Sequence, residues 1–109
     1  MTVRITTLCE NTASFGFLAE WGLSLLVEVD GFTVLMDTGM STVATHNGHL
    51  LGVDFSKLNA IVLSHAHVDH TGGLEAVLQL TGPMRVIAHP EIFTPKYHRQ
   101  EHSVVGFVV

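Results

Sequence analysis

The fold of this 109-residue chain is set by one stretch, Ala60-Ile61-Val62-Leu63-Ser64-His65-Ala66-His67-Val68-Asp69-His70-Thr71-Gly72-Gly73. Its apolar beginning, residues 60–64, is typical of a short strand that is buried on both faces. Apolar residues at a period of about 3.6 predict a helix over about 72–80, and residues 84–88 predict another strand. A strand, a helix and a strand of these lengths predict a parallel pair with a right-handed crossover.

Four side chains that can bind a metal ion fall within six positions of that stretch: His65, His67, Asp69 and His70. Where a strand ends in an extended exit, residues two apart point to the same side, so His65 and His67 can converge on one ion. Asp69 and His70, placed as the chain turns, are expected to face the other way or a neighbouring ion. The alternative is an exposed polar loop in a histidine-rich chain, and four ligands followed by two glycines disfavour it.

The residues before this stretch predict strands of a mixed sheet. Residues 3–8 predict a first strand and residues 10–14 a polar loop. Residues 23–29 and 32–36 flank Asp30-Gly31, a two-residue turn that favours a type I′ hairpin. We therefore expect two antiparallel neighbours here.

The remaining segments complete the expected α/β chain. Asp37-Thr38-Gly39 leaves the hairpin, and Ser41 is expected to cap a helix that runs to about Leu51. Residues 89–99 are expected to form a short helix and loop, and residues 103–109 a last apolar strand.

Composition restricts the class of protein. Five Lys and Arg residues, ten Asp and Glu residues and eight histidines give a formal charge of −5, which argues against a nucleic-acid or anionic-membrane partner. Charged residues make up 14% of the chain, against roughly 25% in ordinary soluble domains. This apolar surplus predicts either a buried oligomer interface or a chain that is part of a larger fold.

The sequence offers no segment that indicates export or membrane insertion. Its longest apolar stretches, residues 23–29 and 104–109, are far shorter than the roughly 20 residues of a spanning helix, and the first residues lack the pattern of a secretory signal. A single cysteine, Cys9, excludes an internal disulfide framework. We expect one domain, residues 1–109, in the cytoplasm and without membrane contact.

Residues 65–70 match the HxHxDH motif of the metallo-β-lactamase superfamily of metal-dependent hydrolases. Residues 21–28, 34–39 and 61–65 also resemble, in order, that family's opening hairpin, its Asp-Thr-Gly corner and its motif strand. The resemblance implies an α/β fold, half of a metallo-β-lactamase αβ/βα sandwich, with a mixed sheet and helices on one face.

A narrower resemblance points to one branch of this superfamily. Residues 8–12, the Gly-Leu-Ser strand and His89-Pro90 are similar to the dihydropterin ribofuranosylaminobenzene phosphate synthases of pterin-cofactor biosynthesis. Because one fold of this kind carries many substrates, the branch resemblance is an association and not an interpretation of a pocket.

The resemblance implies a role for each motif residue. His65 and His67 would bind a first metal ion, usually zinc, and Asp69 and His70 a second; other divalent transition metals are alternatives to zinc. Asp37 would lie behind them and orient a ligating imidazole, the alternative being a turn residue that leads into a helix. The implied reaction is attack by a metal-bound hydroxide, which Asp69 helps to orient, on an ester, thioester, amide or phosphoester of a small molecule.

One departure from the family concerns the second half of the sandwich, which is absent here together with the further ligands it carries. We therefore expect activity to require the missing C-terminal half or a homo-oligomer. The alternative is a non-catalytic metal-binding or interaction half-domain that needs a partner chain. His89 is a candidate extra ligand, although a polar residue that ends a strand is the stronger interpretation.

A second resemblance is to small homodimeric aspartic proteases, through residues 34–39 and the later Val104-Val105-Gly106. Met40 after the glycine, the helical middle of the chain and the unexplained histidine motif disfavour it.

Other residues have ordinary interpretations. The pairs His46 and His49, and His98 and His102, fall at helical spacing and could bind an ion or a phosphate, but solvated polar surfaces are the stronger interpretation. Cys9 is interpreted as a small buried or loop thiol, and Trp21 as a core anchor of the hairpin.

Overall fold

The protein is described by a computed structural model that covers residues 1–99 and 104–107. It is an α/β structure in which five strands form one mixed sheet, in the order β1-β2-β3-β4-β5, and two more form a separate antiparallel hairpin. The strands are β1 (Val3–Cys9), β2 (Ser24–Val29), β3 (Phe32–Met36), β4 (Ala60–Val62), β5 (Val86–Ile87), β6 (Lys96–Arg99) and β7 (Val104–Phe107). The helices are α1 (Val43–Leu50), α2 (Val68–Thr71) and α3 (Leu74–Thr81), with a 3-10 turn at Phe55–Lys57.

The predicted hairpin and the predicted parallel pair are both present. β2 pairs with β3 antiparallel, and Asp30 (φ 48°) and Gly31 (φ 83°) both adopt the positive φ that a type I′ turn requires. β4 pairs with β3 on one side and with β5 on the other, both in parallel. The carboxyl ends of β3 and β4 therefore lie next to each other at one edge of the sheet.

One face of the sheet and the helices enclose the core. The strand register places Leu26, Leu35 and Ile61 in one row across β2, β3 and β4, and all three are buried. Val77 of α3 and Val43 of α1 belong to the same apolar cluster. Burial of this row against the helices provides the main hydrophobic stabilisation of the fold.

The other face of the sheet, here termed the open face, is apolar and is only partly covered by the described residues. Because side chains alternate along a strand, the register assigns a second set of residues to this face. None of the large apolar side chains in this set is fully buried. They are Val3, Ile5, Leu25, Val27, Val29, Phe32, Val34, Met36, Val62 and Ile87.

One predicted helix start is wrong and one helix is confirmed. α1 begins after Thr42, and Ser41 does not cap it, because the Ser41 hydroxyl donates to the Glu20 carboxylate instead. The helix predicted over about 72–80 is α3, Leu74–Thr81, and the short helix α2, Val68–Thr71, precedes it without having been predicted.

The prediction for residues 89–99 is also partly wrong. A hydrogen-bonded turn follows His89, but residues 96–99 form β6, which pairs with β7 and not with the main sheet. β7 lies within the strand predicted over 103–109, of which residues 103, 108 and 109 lie outside the described residues. The helices and the parallel strands also show that the resemblance to small aspartic proteases, which are all-β proteins, does not extend to the fold.

Within the described ranges, 1–99 and 104–107, no helix has the length and apolar content needed to cross a bilayer. The cytoplasmic location stays a prediction.

Candidate metal centre

The motif residues lie where β4 leaves the sheet and α2 begins. Residues 63–67 continue beyond the end of β4, and His67 has extended dihedrals (φ −65°, ψ 140°) as the residue that precedes α2. Asp69 and His70 lie within the single turn of α2. This is the carboxyl end of a parallel strand, where open α/β sheets bind their ligands.

The structure brings all four motif side chains together. One ligand atom each from His65, His67 and Asp69 lies within 4.8 Å of the others. The ring of His65 also lies 4.1 Å from that of His70, centroid to centroid, and His70 Nε2 is 3.3 Å from Asp69 Oδ2. Of the two orientations expected for Asp69, the one that faces away from the two histidines is therefore wrong, and the one towards a neighbouring ion stays a prediction.

Asp37 lies directly behind this cluster. Its side chain is only 1% exposed, and its carboxylate accepts three hydrogen bonds: from the Ser64 amide (2.7 Å), the Ser64 hydroxyl (2.6 Å) and His70 Nδ1 (2.8 Å). Because a carboxylate only accepts, His70 carries its proton on Nδ1 and its Nε2 is left to face the cluster. Asp37 also has a φ of 59°, a left-handed conformation that costs a non-glycine residue energy and is common at functional sites.

These donors fit a divalent transition-metal ion. His70 Nε2 and Asp69 Oδ2 lie 3.3 Å apart. Two ligands of a tetrahedral ion with bonds of about 2.0–2.1 Å lie about 3.3 Å apart. Imidazole nitrogens joined by a carboxylate suit zinc and its neighbours better than magnesium or calcium.

The Asp-Thr-Gly corner holds α2 by its backbone. The Thr38 amide and hydroxyl both donate to the His70 carbonyl, at 2.7 and 3.0 Å. The Leu23 amide donates to the Asp69 carbonyl at 3.2 Å. Both motif residues of α2 are therefore fixed to the ends of β2 and β3.

Gly72 and Gly73 permit a close approach between the start of α3 and residues 38–41, which follow β3. A Cβ added to Gly72 would lie 2.2 Å from the Met40 carbonyl oxygen, and one added to Gly73 would lie 2.1 Å from the Thr38 carbonyl oxygen. Both distances are too short for any side chain, so the Asp-Thr-Gly corner can meet the motif helices only where glycine stands.

Glu20 is a structural residue of the site that the sequence did not reveal. Its carboxylate accepts from the Met40 amide (2.9 Å), from the Ser41 amide (3.1 Å) and from the Ser41 hydroxyl. Burial alone would raise the pKa of Glu20, but these hydrogen bonds outweigh it, and its pKa lies below the ordinary value. An isolated glutamate in a loop carries no pattern from which this role could be predicted.

Cys9 is buried, which confirms the first of its two interpretations, a small buried thiol. Burial, with a further contribution from the neighbouring Glu20 carboxylate, raises the pKa of the Cys9 thiol to about 12. A thiol in this environment stays protonated and is neither a nucleophile nor a metal ligand at neutral pH.

The cavity that reaches the motif has a volume of about 430 Å³, and its lining includes Asn11, Trp21, Asp69 and His70. Trp21 is 69% exposed, so its interpretation as a core anchor is wrong. A somewhat larger cavity of about 500 Å³ lies beside β1 and contains none of the motif residues.

Three further histidines that the structure describes, His46, His49 and His89, lie outside the cluster. His89 belongs to neither of the groups of described side chains that could hold an ion, which are His65, His67 and Asp69, and Asp37, His65 and His70. Its Nδ1 accepts from the Glu91 amide at 3.1 Å. His46 and His49 are exposed on α1. His102 lies outside the described residues, and the proposals for the side chains of His98 and His102 stay untested.

Comparisons with known proteins find a family, relatives and a solved structure to which the chain is similar. A family profile described as "Metallo-beta-lactamase superfamily" matches residues 22–108. The protein MJ0448 of Methanocaldococcus jannaschii is 35% identical over 96 residues, which are 85% of this chain and 37% of that protein. A second protein of the same organism, named 7,8-dihydropterin-6-methyl-4-(beta-D-ribofuranosyl)-aminobenzene-5'-phosphate synthase, is 34% identical over 99 residues, 84% of this chain and 34% of the relative.

A solved structure shows the same fold. The crystal structure of Tm1679, described as a metal-dependent hydrolase of the beta-lactamase superfamily, superposes with a TM-score of 0.74 at 36% identity. The match covers 96% of this chain and 36% of that one. This chain thus spans little more than a third of the length of these relatives.

Proposed function

The chain belongs to the metallo-beta-lactamase superfamily, and we propose that it supplies the metal-binding half of a hydrolytic centre that cleaves an ester, thioester, amide or phosphoester. The observation that carries this proposal is the hydrogen bond from His70 Nδ1 to the buried Asp37, beside the cluster of His65, His67 and Asp69. This hydrogen bond leaves His70 Nε2 available as a ligand. An exposed polar loop with no bound metal would not require a buried carboxylate to orient the ring in this way.

The motif side chains would hold one or two divalent ions, with zinc as the metal of choice. Bound there, such an ion would polarise the oxygen of the scissile group and lower the pKa of a water molecule towards 7. The second carboxylate oxygen of Asp69 could accept a hydrogen bond from the attacking water and so orient it. His65 and His67, at the exposed end of β4, leave the outer side of the cluster open to a substrate.

Compounds that carry a phosphate stand first among the substrates we propose. The relative from M. jannaschii that matches 84% of the chain carries a 5'-phosphate in its name. The site itself does not choose among them, because a divalent ion activates carbonyl and phosphoryl oxygens alike.

We also propose that the open face is covered by a further layer of protein. A patch with Leu25, Val27, Val34 and Met36 at its centre, and with no charged side chain assigned to it by the register, is unfavourable in water. Since the matched relatives are nearly three times as long as the match, the occupant we favour is polypeptide equivalent to their remaining length. A second copy of this chain is the other outcome.

Light scattering on Val27→Lys tests this covering layer. Val27 lies on the open face, and Thr33, one strand away on the opposite face, provides the control Thr33→Lys. We expect the wild-type chain and Thr33→Lys to self-associate unless they are co-expressed with the remaining part of the M. jannaschii phosphate synthase relative. Val27→Lys should lose that association. A wild-type chain that stays monomeric and well folded by itself would contradict the proposal.

Elemental analysis combined with a hydrolysis assay tests the function. The chain is assayed alone and after co-expression with the remaining part of the M. jannaschii phosphate synthase relative. The substrates are phosphomonoesters, phosphodiesters, thioesters and carboxylic esters. We expect bound divalent metal in both preparations and hydrolysis only in the complemented one. Metal without hydrolysis in both would favour the non-catalytic metal-binding module, and absence of metal from both would contradict either role.

A further inference from the structure

Trp21 is a large aromatic side chain that the fold leaves in water beside the metal centre. It is the single tryptophan of the sequence and is 69% exposed. Tryptophan is normally buried over most of its surface, because its ring provides more apolar contact area than any other side chain. The core therefore does not account for its presence at this position.

The backbone around Trp21 is held in place, so the ring is not carried on a loose segment. The Gly22 amide donates to Asn11 Oδ1 at 3.4 Å, and the Leu23 amide donates to the Asp69 carbonyl at 3.2 Å. A Cβ at Gly22 would lie 2.7 Å from that same carbonyl oxygen. The backbone next to Trp21 thus contacts the motif helix directly and holds this residue beside the cluster.

Trp21 lines the cavity of about 430 Å³ together with Glu10 and Asn11 on the loop after β1 and with Asp69 and His70 on α2. A volume of this size lies within the range of small-molecule sites, roughly 300–1,000 Å³. An indole face accompanied by an amide and a carboxylate suits a flat ring with polar edges, since the ring stacks and its edge forms hydrogen bonds.

We propose that Trp21 forms a subsite for an aromatic or heteroaromatic ring of the substrate. The ring would stack on Trp21, and the bond to be cleaved would lie at the end of the cavity formed by Asp69 and His70. This inference rests on the hydrolytic function proposed above, because it assumes that a ligand is held at the metal centre.

Two phosphonates that are not hydrolysed, phenylphosphonate and methylphosphonate, test the subsite by calorimetry on the chain loaded with zinc. We expect phenylphosphonate to bind roughly 2- to 12-fold more tightly, the range typical of an aromatic pair. It should also change the fluorescence of the single tryptophan. In Trp21→Ala the preference should disappear while the affinity for methylphosphonate is unchanged, and Trp21→Phe should retain part of it.

Phe32→Ala is the matched control, because Phe32 is also an exposed aromatic residue but begins β3 at the end remote from Asp37. It should keep the full preference. Equal affinities of the wild type for both phosphonates, or a preference that survives in Trp21→Ala, would overturn the subsite. Zinc binding without binding of either phosphonate would also overturn it and leave the metal centre standing. Failure to bind zinc would overturn the proposed function and the subsite together.

Discussion

His70 Nδ1 lies 2.8 Å from Asp37 Oδ2, although the two residues are 33 positions apart in the sequence. The contact joins the end of β3 to α2, and with the two hydrogen bonds from Ser64 it engages both oxygens of the buried carboxylate. Asp37 thereby determines which nitrogen of His70 faces the cluster. A hydrogen bond of this kind orients the ring and raises its basicity as a ligand.

Asp37→Asn is expected to lower the affinity for zinc by about 10- to 100-fold. Asparagine tolerates the left-handed φ of 59° at this position, so the change acts on the hydrogen bonds and not on the backbone. Its amide nitrogen cannot accept the proton of His70 Nδ1. Competition with a chromophoric chelator measures the affinity, and Asp30→Asn, at the other aspartate with a positive φ, should bind zinc as the wild type does.

Thr38→Val is expected to destabilise the fold by about 1 kcal/mol and to weaken zinc binding. Valine keeps the shape of this buried side chain but removes the hydroxyl that donates to the His70 carbonyl. Thr38→Ser keeps the hydroxyl and should retain more of the zinc affinity. Urea denaturation and chelator competition on both variants check this, and equal zinc affinities would show that the hydroxyl does not position His70.

Gly73→Ala is expected to destabilise the chain by more than about 3 kcal/mol or to prevent folding, because its Cβ would overlap the Thr38 carbonyl oxygen. Gly16→Ala is the control: Gly16 has a φ of 92°, but no atom lies within 4 Å of an added Cβ. Its cost should be about 1–2 kcal/mol of backbone strain. Similar losses in both variants, measured by thermal denaturation, would contradict the close approach.

Glu20→Gln is expected to reduce the dependence of stability on acid pH. Because the pKa of Glu20 is lowered in the folded state, its contribution is fully present above the unfolded-state pKa, about 4.3, and is lost as the pH falls through the lower folded-state value. Glu20→Gln should therefore be less stable than the wild type at pH 7, and the difference should shrink towards pH 3. Urea denaturation across this range tests it, with the exposed Glu10→Gln as control.

Secondary-structure elements were predictable where the residues that determine them lie within a few positions of one another. The Asp30-Gly31 turn carries its own signal in two residue types that tolerate positive φ. The motif is equally local, since the spacing of His65 and His67 at the end of an apolar strand places both on one side.

What the sequence could not show depends on partners far along the chain. Trp21 was expected in the core because aromatic residues are usually buried, but the approach of Gly22 to the Asp69 carbonyl fixes the neighbouring chain and leaves the ring outside. The short strand β6, Lys96–Arg99, has no apolar alternation of its own and exists through its pairing with β7. The carboxylate of Glu20 likewise acts on residues 40 and 41, which no spacing rule connects to it.

Zinc binding by the wild type, His67→Ala and His46→Ala tests the central claim most directly. His67 belongs to the cluster, whereas His46 is an exposed histidine on α1 outside it. Calorimetry with elemental analysis should find at least one ion per wild-type chain, an affinity at least about tenfold lower in His67→Ala, and no change in His46→Ala. Equal affinities in all three proteins, or no zinc in the wild type, would contradict the account.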